Sequence, residues 1–325
     1  MLIRREVLFA IAAALSLSAT AHADDSWKPK GNIEFIVGAG PGGENDRIAR
    51  AIQRALQDGG FVPSMTILNK PGAGQVIAIT DLASRKGNTN TIGLASGSFI
   101  NAIARSGSNL HTRVVPVMKL FDAYQAFFTK ADSSIKTMAD VKERLKADPK
   151  SVTFAFPVGL GSPLHVAAVQ VAKTAGVKPA EVKTVVFDSG ADVSAQISGG
   201  HVDVGITSIG SAMPLIQAGK ARFLGLAAPE RMGGDMKDVP TLREQGLDVI
   251  VANSYNVLLP GSLKPEQVAF WTKALDAVLE NKQFQADLDR NFWVATPVRY
   301  PGSVAEFNKE YDENRTILKE IGFAE

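Results

Sequence analysis

The sequence predicts an α/β protein of two lobes, each a mainly parallel sheet flanked by helices, with a ligand cleft between them. Three observations carry this. Short β-rich runs alternate with helical periodicity along the chain, a glycine-rich turn follows a strand end in each half, and the pattern restarts near residue 114. Repeated strand, loop and helix build parallel sheets through right-handed crossovers.

The N-terminus reads as a leader. Arg4 and Arg5 precede an apolar run over residues 7–19, which closes on Ala21-His22-Ala23. A positive start, a short apolar core and a small-x-small site are the three parts of a secretory signal peptide, cleaved here after Ala23. Ser16 and Ser18 interrupt the run, which falls short of the roughly 18 apolar residues that span a bilayer. The mature chain is thus expected to be exported and free in the periplasm.

Removing residues 1–23 from 325 leaves 302, more than one compact core usually holds. Apolar content of 45% and charged content of 21% are those of a globular chain. The net charge of +2 falls to +1 once Arg4, Arg5 and Glu6 leave. Such a balance gives no long-range field for nucleic acid or an anionic membrane. Without cysteine, a lipidated Cys, a thiol nucleophile and a Cys-held metal are all excluded.

The elements follow in order. Residues 33–37 form a strand that ends in Gly38-Ala39-Gly40-Pro41-Gly42-Gly43, and residues 46–56 carry Ile48, Ala49, Ile52 and Leu56 at helical spacing. Residues 65–68 are the next strand, followed by a turn over 69–74 and a helix through Ala83. Residues 91–95 are a third strand, stopping at Ser96-Gly97-Ser98. The second unit begins with the apolar residues 114–120 and a helix over 134–145. A strand at 152–156 then leads into Gly159-Leu160-Gly161-Ser162-Pro163 and a helix over 164–175. Strands at 184–187, 202–206 and 223–227 have helices between them. An extended run over 249–259, a helix over 265–279 and amphipathic segments over 304–321 finish the chain. The expected division is residues 24–125 with 251–325 in lobe 1 and 126–250 in lobe 2, with a hinge where 120–131 and 251–259 cross.

The glycine loops carry the chemistry. Glycines let the backbone turn sharply and present N–H groups at a helix start, where the dipole favours an anion. Gly38, Gly40 and Gly43 satisfy G-x-G-x-x-G, but a dinucleotide site also needs an acidic residue at the end of the second strand. That strand ends in Asn69-Lys70. Ser162 is a natural N-cap with Pro163 at the first helical position. His165 lies one turn on, so a Ser–His hydrolase is a rival reading, though the G-x-S-x-G elbow is missing. His201 and Asp203 could offer two metal ligands, yet no third partner is apparent. No cofactor is expected.

Residues 36–50 resemble the "IVPFAPGGGTDxxAR" segment of the tripartite tricarboxylate transporter receptors, the TctC or Bug family. Four more segments are similar in the same order: Asn69-Lys-Pro-Gly-Ala-Gly74, Gly159-Leu-Gly-Ser-Pro-Leu-His165, Ser198-Gly-Gly-His-Val-Asp203 and Asp238-Val-Pro-Thr-Leu-Arg-Glu-Gln-Gly246. The resemblance implies a monomeric, non-enzymatic, two-lobed periplasmic binding protein that closes over a small organic acid and delivers it to a two-part permease. A sensor-coupled receptor on the same fold is the alternative. Carried over, the ligand-binding residues are Ala39, Gly42, Gly43, Asp46, Ser96 and Ser98 in one lobe. The other lobe supplies Gly159, Gly161, Ser162, His165, Phe187, Asp203, Thr207 and Ser208. Three departures stand out. Glu44-Asn45 replaces Gly-Thr, Phe187-Asp188 replaces Tyr-Lys, and Tyr255 replaces a frequent Trp. The added carboxylates predict a ligand with one carboxylate or none, and leave room for an amine that pairs with Glu44 or Asp188.

Overall fold

The computed structural model describes residues 27–157 and 159–324; the leader and its cleavage site lie outside them. Ten strands and ten α-helices are found among the described residues. In order, the first part runs β1 (Asn32–Val37), α1 (Glu44–Asp58), β2 (Ser64–Asn69), α2 (Val76–Ser84), β3 (Thr91–Ser96), α3 (Gly97–Ser106) and β4 (Val114–Lys130). The second runs α4 (Met138–Ala147), β5 (Thr153–Pro157), α5 (Pro163–Thr174), β6 (Lys183–Phe187), α6 (Gly190–Gly199), β7 (Val204–Ser208), α7 (Ile209–Gln217) and β8 (Ala221–Leu226). The chain then returns through β9 (Ala252–Pro260), α8 (Pro265–Glu280), α9 (Lys282–Asn291), β10 (Trp293–Arg299) and α10 (Gly302–Glu320).

Each lobe is built on a parallel trio, β2-β1-β3 in one and β6-β5-β7 in the other. Antiparallel strands complete both: β4 runs from one to the other, with β9 and β10 beside its first part and β7 and β8 beside its last. β4 is the spine: residues 114–124 pair with β9 and 118–123 also with β10, whereas 125–130 pair with β7 and β8. Its length was not evident in the sequence, because Lys119, Asp122 and Gln125 break the apolar run. Lys119 Nζ lies 2.8 Å from Asp122 Oδ2, and Thr296 Oγ1 donates to the same oxygen at 2.9 Å, so the buried charge is paired.

The strand alternation decides which helices cover which face. Ile33, Phe35 and Val37 of β1 join Ile48 and Ile52 of α1, Trp271 of α8 and Phe284 of α9. Ile36 points the other way, into a layer with Ile79 of α2, Phe99 of α3 and Phe307 of α10. In the second lobe, Phe154 and Phe156 pack under α4 and α5, while Ala155 meets Val193 and Ile197 of α6. Val166 and Val169 of α5 also enter the α3–α10 layer of the first lobe. No helix among the described residues is long and apolar enough to cross a membrane.

Candidate functional site

The loop after β1 is shaped by close approach. A side chain at Gly38 would sit 2.5 Å from Gln75 Cγ, and Gln75 in turn is buried and holds the end of β3 by accepting from the Ser96 N–H at 3.1 Å. Gly42 takes φ 80°, a conformation that favours glycine. Its N–H donates to Asp46 Oδ2 at 2.9 Å. Asp46 also accepts from Arg50 Nε at 2.9 Å and Asn69 Nδ2 at 2.9 Å. The Arg50 contact foremost lowers its pKa to about 2. The loop reaches Gly43, which opens α1 without a side-chain cap.

The corresponding loop of the second lobe uses Gly159 at φ 65° and Gly161 at φ 80°. Gly161 N–H donates to His165 Nδ1 at 3.1 Å. The imidazole is packed between Phe156 and Phe323, and burial pushes its pKa down, which suits a neutral ring accepting a hydrogen bond. Asn101 Nδ2 and Arg105 Nη1 of α3 donate to the carbonyls of Gly161 and Leu160 at 3.2 Å each. The two lobes therefore touch beside this loop.

Between the lobes lies a cavity of about 480 Å³. Five helices begin on its wall: α1 at Gly43 and Glu44, α3 at Ser98, α5 at Ser162, α6 at Ser189 and Gly190, and α7 at Ser208 and Ser211. Ser162 and Ser189 cap their own helices, accepting from the His165 and Asp192 N–H groups. Helices α1, α3 and α7 have no side-chain cap. Their first N–H groups lack intrahelical partners, and their dipoles are positive at this end. Converging helix starts are suited to an anion. Gln125, Thr207 and Asn253 add polar groups, and Ala123, Pro157 and Leu164 an apolar wall.

The charged residues on the wall are Glu44, Arg47 and Asp188. Protein crowds the Glu44 carboxyl, and this desolvation raises its pKa against the opposing pull of hydrogen bonds from Tyr255 and Trp293 and of the Arg47 charge. Tyr255 is fully buried, accepts from Asn253 Nδ2 at 2.8 Å, and has its own pKa driven well up, first by burial and then by Glu44. Phe121 stacks on both Tyr255 and Trp293, at centroid distances of 4.8 and 4.9 Å, and the outer two lie 6.4 Å from each other.

Of the residues singled out in the sequence, Gly43, Ser98, Ser162, Thr207 and Ser208 line this cavity. The others sit behind or beside it. Ala39 accepts from Asn69 through its carbonyl, Gly42 and Asp46 brace the first loop, and Ser96 is tied to Gln75. Gly161 and His165 shape the second loop, where Gly159 supplies a turn. Phe187 packs near Phe128, and Asp203 accepts from the Thr153 N–H at 2.8 Å. Ser162 Oγ accepts from the His165 backbone while the imidazole nitrogen faces Gly161, so the two side chains form no nucleophile–base pair. Among the described residues no cluster of three His, Cys, Asp or Glu could hold a metal. Arg47, Gln125, Ser189, Gly190, Ser211 and Asn253 were missed. The helical residues among them stand within one turn of a helix start, a signal that could have found them.

Residues 48–299 match the family model described as the tripartite tricarboxylate transporter family receptor. Protein BugT of Bordetella pertussis is 25% identical over 303 residues, covering 90% of each chain. A TctC solute binding protein from Polaromonas has a similar fold, with a TM-score of 0.74 at 21% identity over 90% of this chain and 99% of that one. The R. palustris protein Rpa4515, solved with adipate, gives a TM-score of 0.74 at 19% identity over 90% and 98%.

Proposed function

This chain belongs to the tripartite tricarboxylate transporter receptor family, and from that premise we propose that it captures a small organic carboxylate between its lobes in the periplasm. It then delivers the solute to a two-part membrane permease. The convergence of five helix starts on one cavity between the lobes supports this reading most. The carboxylate lies against the uncapped starts of α1, α3 and α7, with hydroxyls of Ser98, Ser162, Thr207 and Ser208 around it. Residues 24–125 and 251–325 act as one lobe and 126–250 as the other, and closure bends β4 and β9 where they cross. Hinge closure of this kind is shared by periplasmic binding proteins. Capture and release require no bond to be made or broken, so the protein works as a receptor and not as an enzyme.

The variant Ser208→Asp tests this. An aspartate is a strong N-cap, so the free protein should be as stable as the wild type or more so. Its carboxylate would nevertheless occupy the anion position at the start of α7. A carboxylate at a hundredfold its Kd should stabilise the wild type by about 2.7 kcal/mol, read as a rise in Tm, and Ser208→Asp should lose most of that rise. An unchanged ligand-induced rise in the variant would sink the assignment.

A further inference from the structure

The cavity wall carries more negative charge than an anion site needs. Glu44 opens α1 in one lobe, Asp188 precedes the cap of α6 in the other, and both line the cavity. Neither has a cationic side chain within ion-pair distance among the described residues. Arg47 is the single cation on the wall, and its Nη1 is taken up by the Gly42 carbonyl at 3.0 Å. Glu44 lies near Tyr255, the Arg47 charge and Trp293. One cation against two carboxylates leaves the wall with a net negative charge to be matched from the cavity.

Resting on the receptor reading above, we infer that the solute is an amino-carboxylate whose ammonium bridges Glu44 and Asp188 while its carboxylate lies against the uncapped helix starts. An ammonium offers three donors and no acceptor, enough to satisfy a carboxylate from each lobe at once. Such a ligand ties its positive end to both lobes, so recognition of the amine and closure become one event. A dicarboxylate of the same length sets its second charge against Glu44 and Asp188, and like charges in a confined site repel. An amine-free monocarboxylate leaves both wall carboxylates unmatched.

Calorimetric titration with matched acids tests this: 4-aminobutyrate against succinate and butyrate, and 5-aminovalerate against glutarate and valerate. The wild type should bind at least one amino acid about tenfold or more tighter than both of its partners, the size of one charged hydrogen bond. Asp188→Asn, on an exposed position, and Glu44→Gln should each erase most of that preference. Tighter binding of the dicarboxylates, or a preference that survives in both folded variants, overturns the inference and leaves the receptor reading intact. If no acid of either series binds the wild type, both fall.

Discussion

Replacing Asp46 by alanine should cost about 2 kcal/mol of stability, the usual size of leaving buried hydrogen-bonding groups without their charged partner. The side chain is 1% exposed and gathers donors from three directions: the Gly42 N–H, the Arg50 guanidinium and the Asn69 amide. Removing it takes a partner from the Asn69 amide and the Gly42 N–H, while the half-exposed Arg50 turns to solvent. The loop that presents the start of α1 to the cavity then loses its brace, so carboxylate affinity should fall along with stability. Asp46→Asn keeps the shape and should cost less. Urea unfolding of the three proteins provides the measurement, and a loss below about 1 kcal/mol for alanine would show that the loop stands without this anchor.

Glu310 should govern how stability depends on pH. It sits on α10, and Ser254 Oγ of β9 lies 2.9 and 2.8 Å from its two carboxylate oxygens. Burial pushes its pKa up to about 7, opposed by Ser254 and by Lys119 and reinforced by Asp122 and Glu306. An unfolded chain releases this proton near 4.5, so between the two values the folded state binds more protons. Stability from this group is therefore greatest at low pH and falls as pH rises from about 4.5 to 7, by at most about 3 kcal/mol. Glu310→Gln should flatten the difference, gaining about 1–3 kcal/mol over the wild type at pH 8 and little at pH 4. Subtracting the two pH profiles removes opposing contributions such as His165, whose pKa is lowered by burial. Parallel profiles would contradict the assignment.

Much of this fold is legible in the sequence because its inner parallel strands are largely buried on both faces. Runs such as residues 33–37 and 91–95 are mostly apolar and are followed by glycine or serine, so strand, turn and helix announce themselves. The spine β4 and the strand β10 are not, since a strand stabilised by the Lys119–Asp122 pair and by partners far along the chain has no local signature. At the site, the sequence marks the loops well but not which of their residues face the cavity. Asp46, His165 and Asp203 enter as ligand contacts through the family resemblance alone. Each accepts from a backbone N–H nearby, work that sharp turns require and that no local sequence pattern marks. Gln125 and Asn253 reach the cavity from the two crossing strands, whose pairing brings together residues more than a hundred positions apart. Glu44 stands out in the sequence as an addition to the family pattern, but only the structure shows that Tyr255, Arg47 and Trp293 oppose the cost of burying its charge.

The most direct measurement is a crystal structure of the mature protein grown with whichever carboxylate raises its Tm most. The account predicts density between the lobes, with carboxylate oxygens within hydrogen-bond distance of backbone N–H groups at the starts of α1, α3 or α7. Density in the broad groove beside Met232, Arg290 and Phe292 instead, with the cavity between the lobes holding only water, would contradict it.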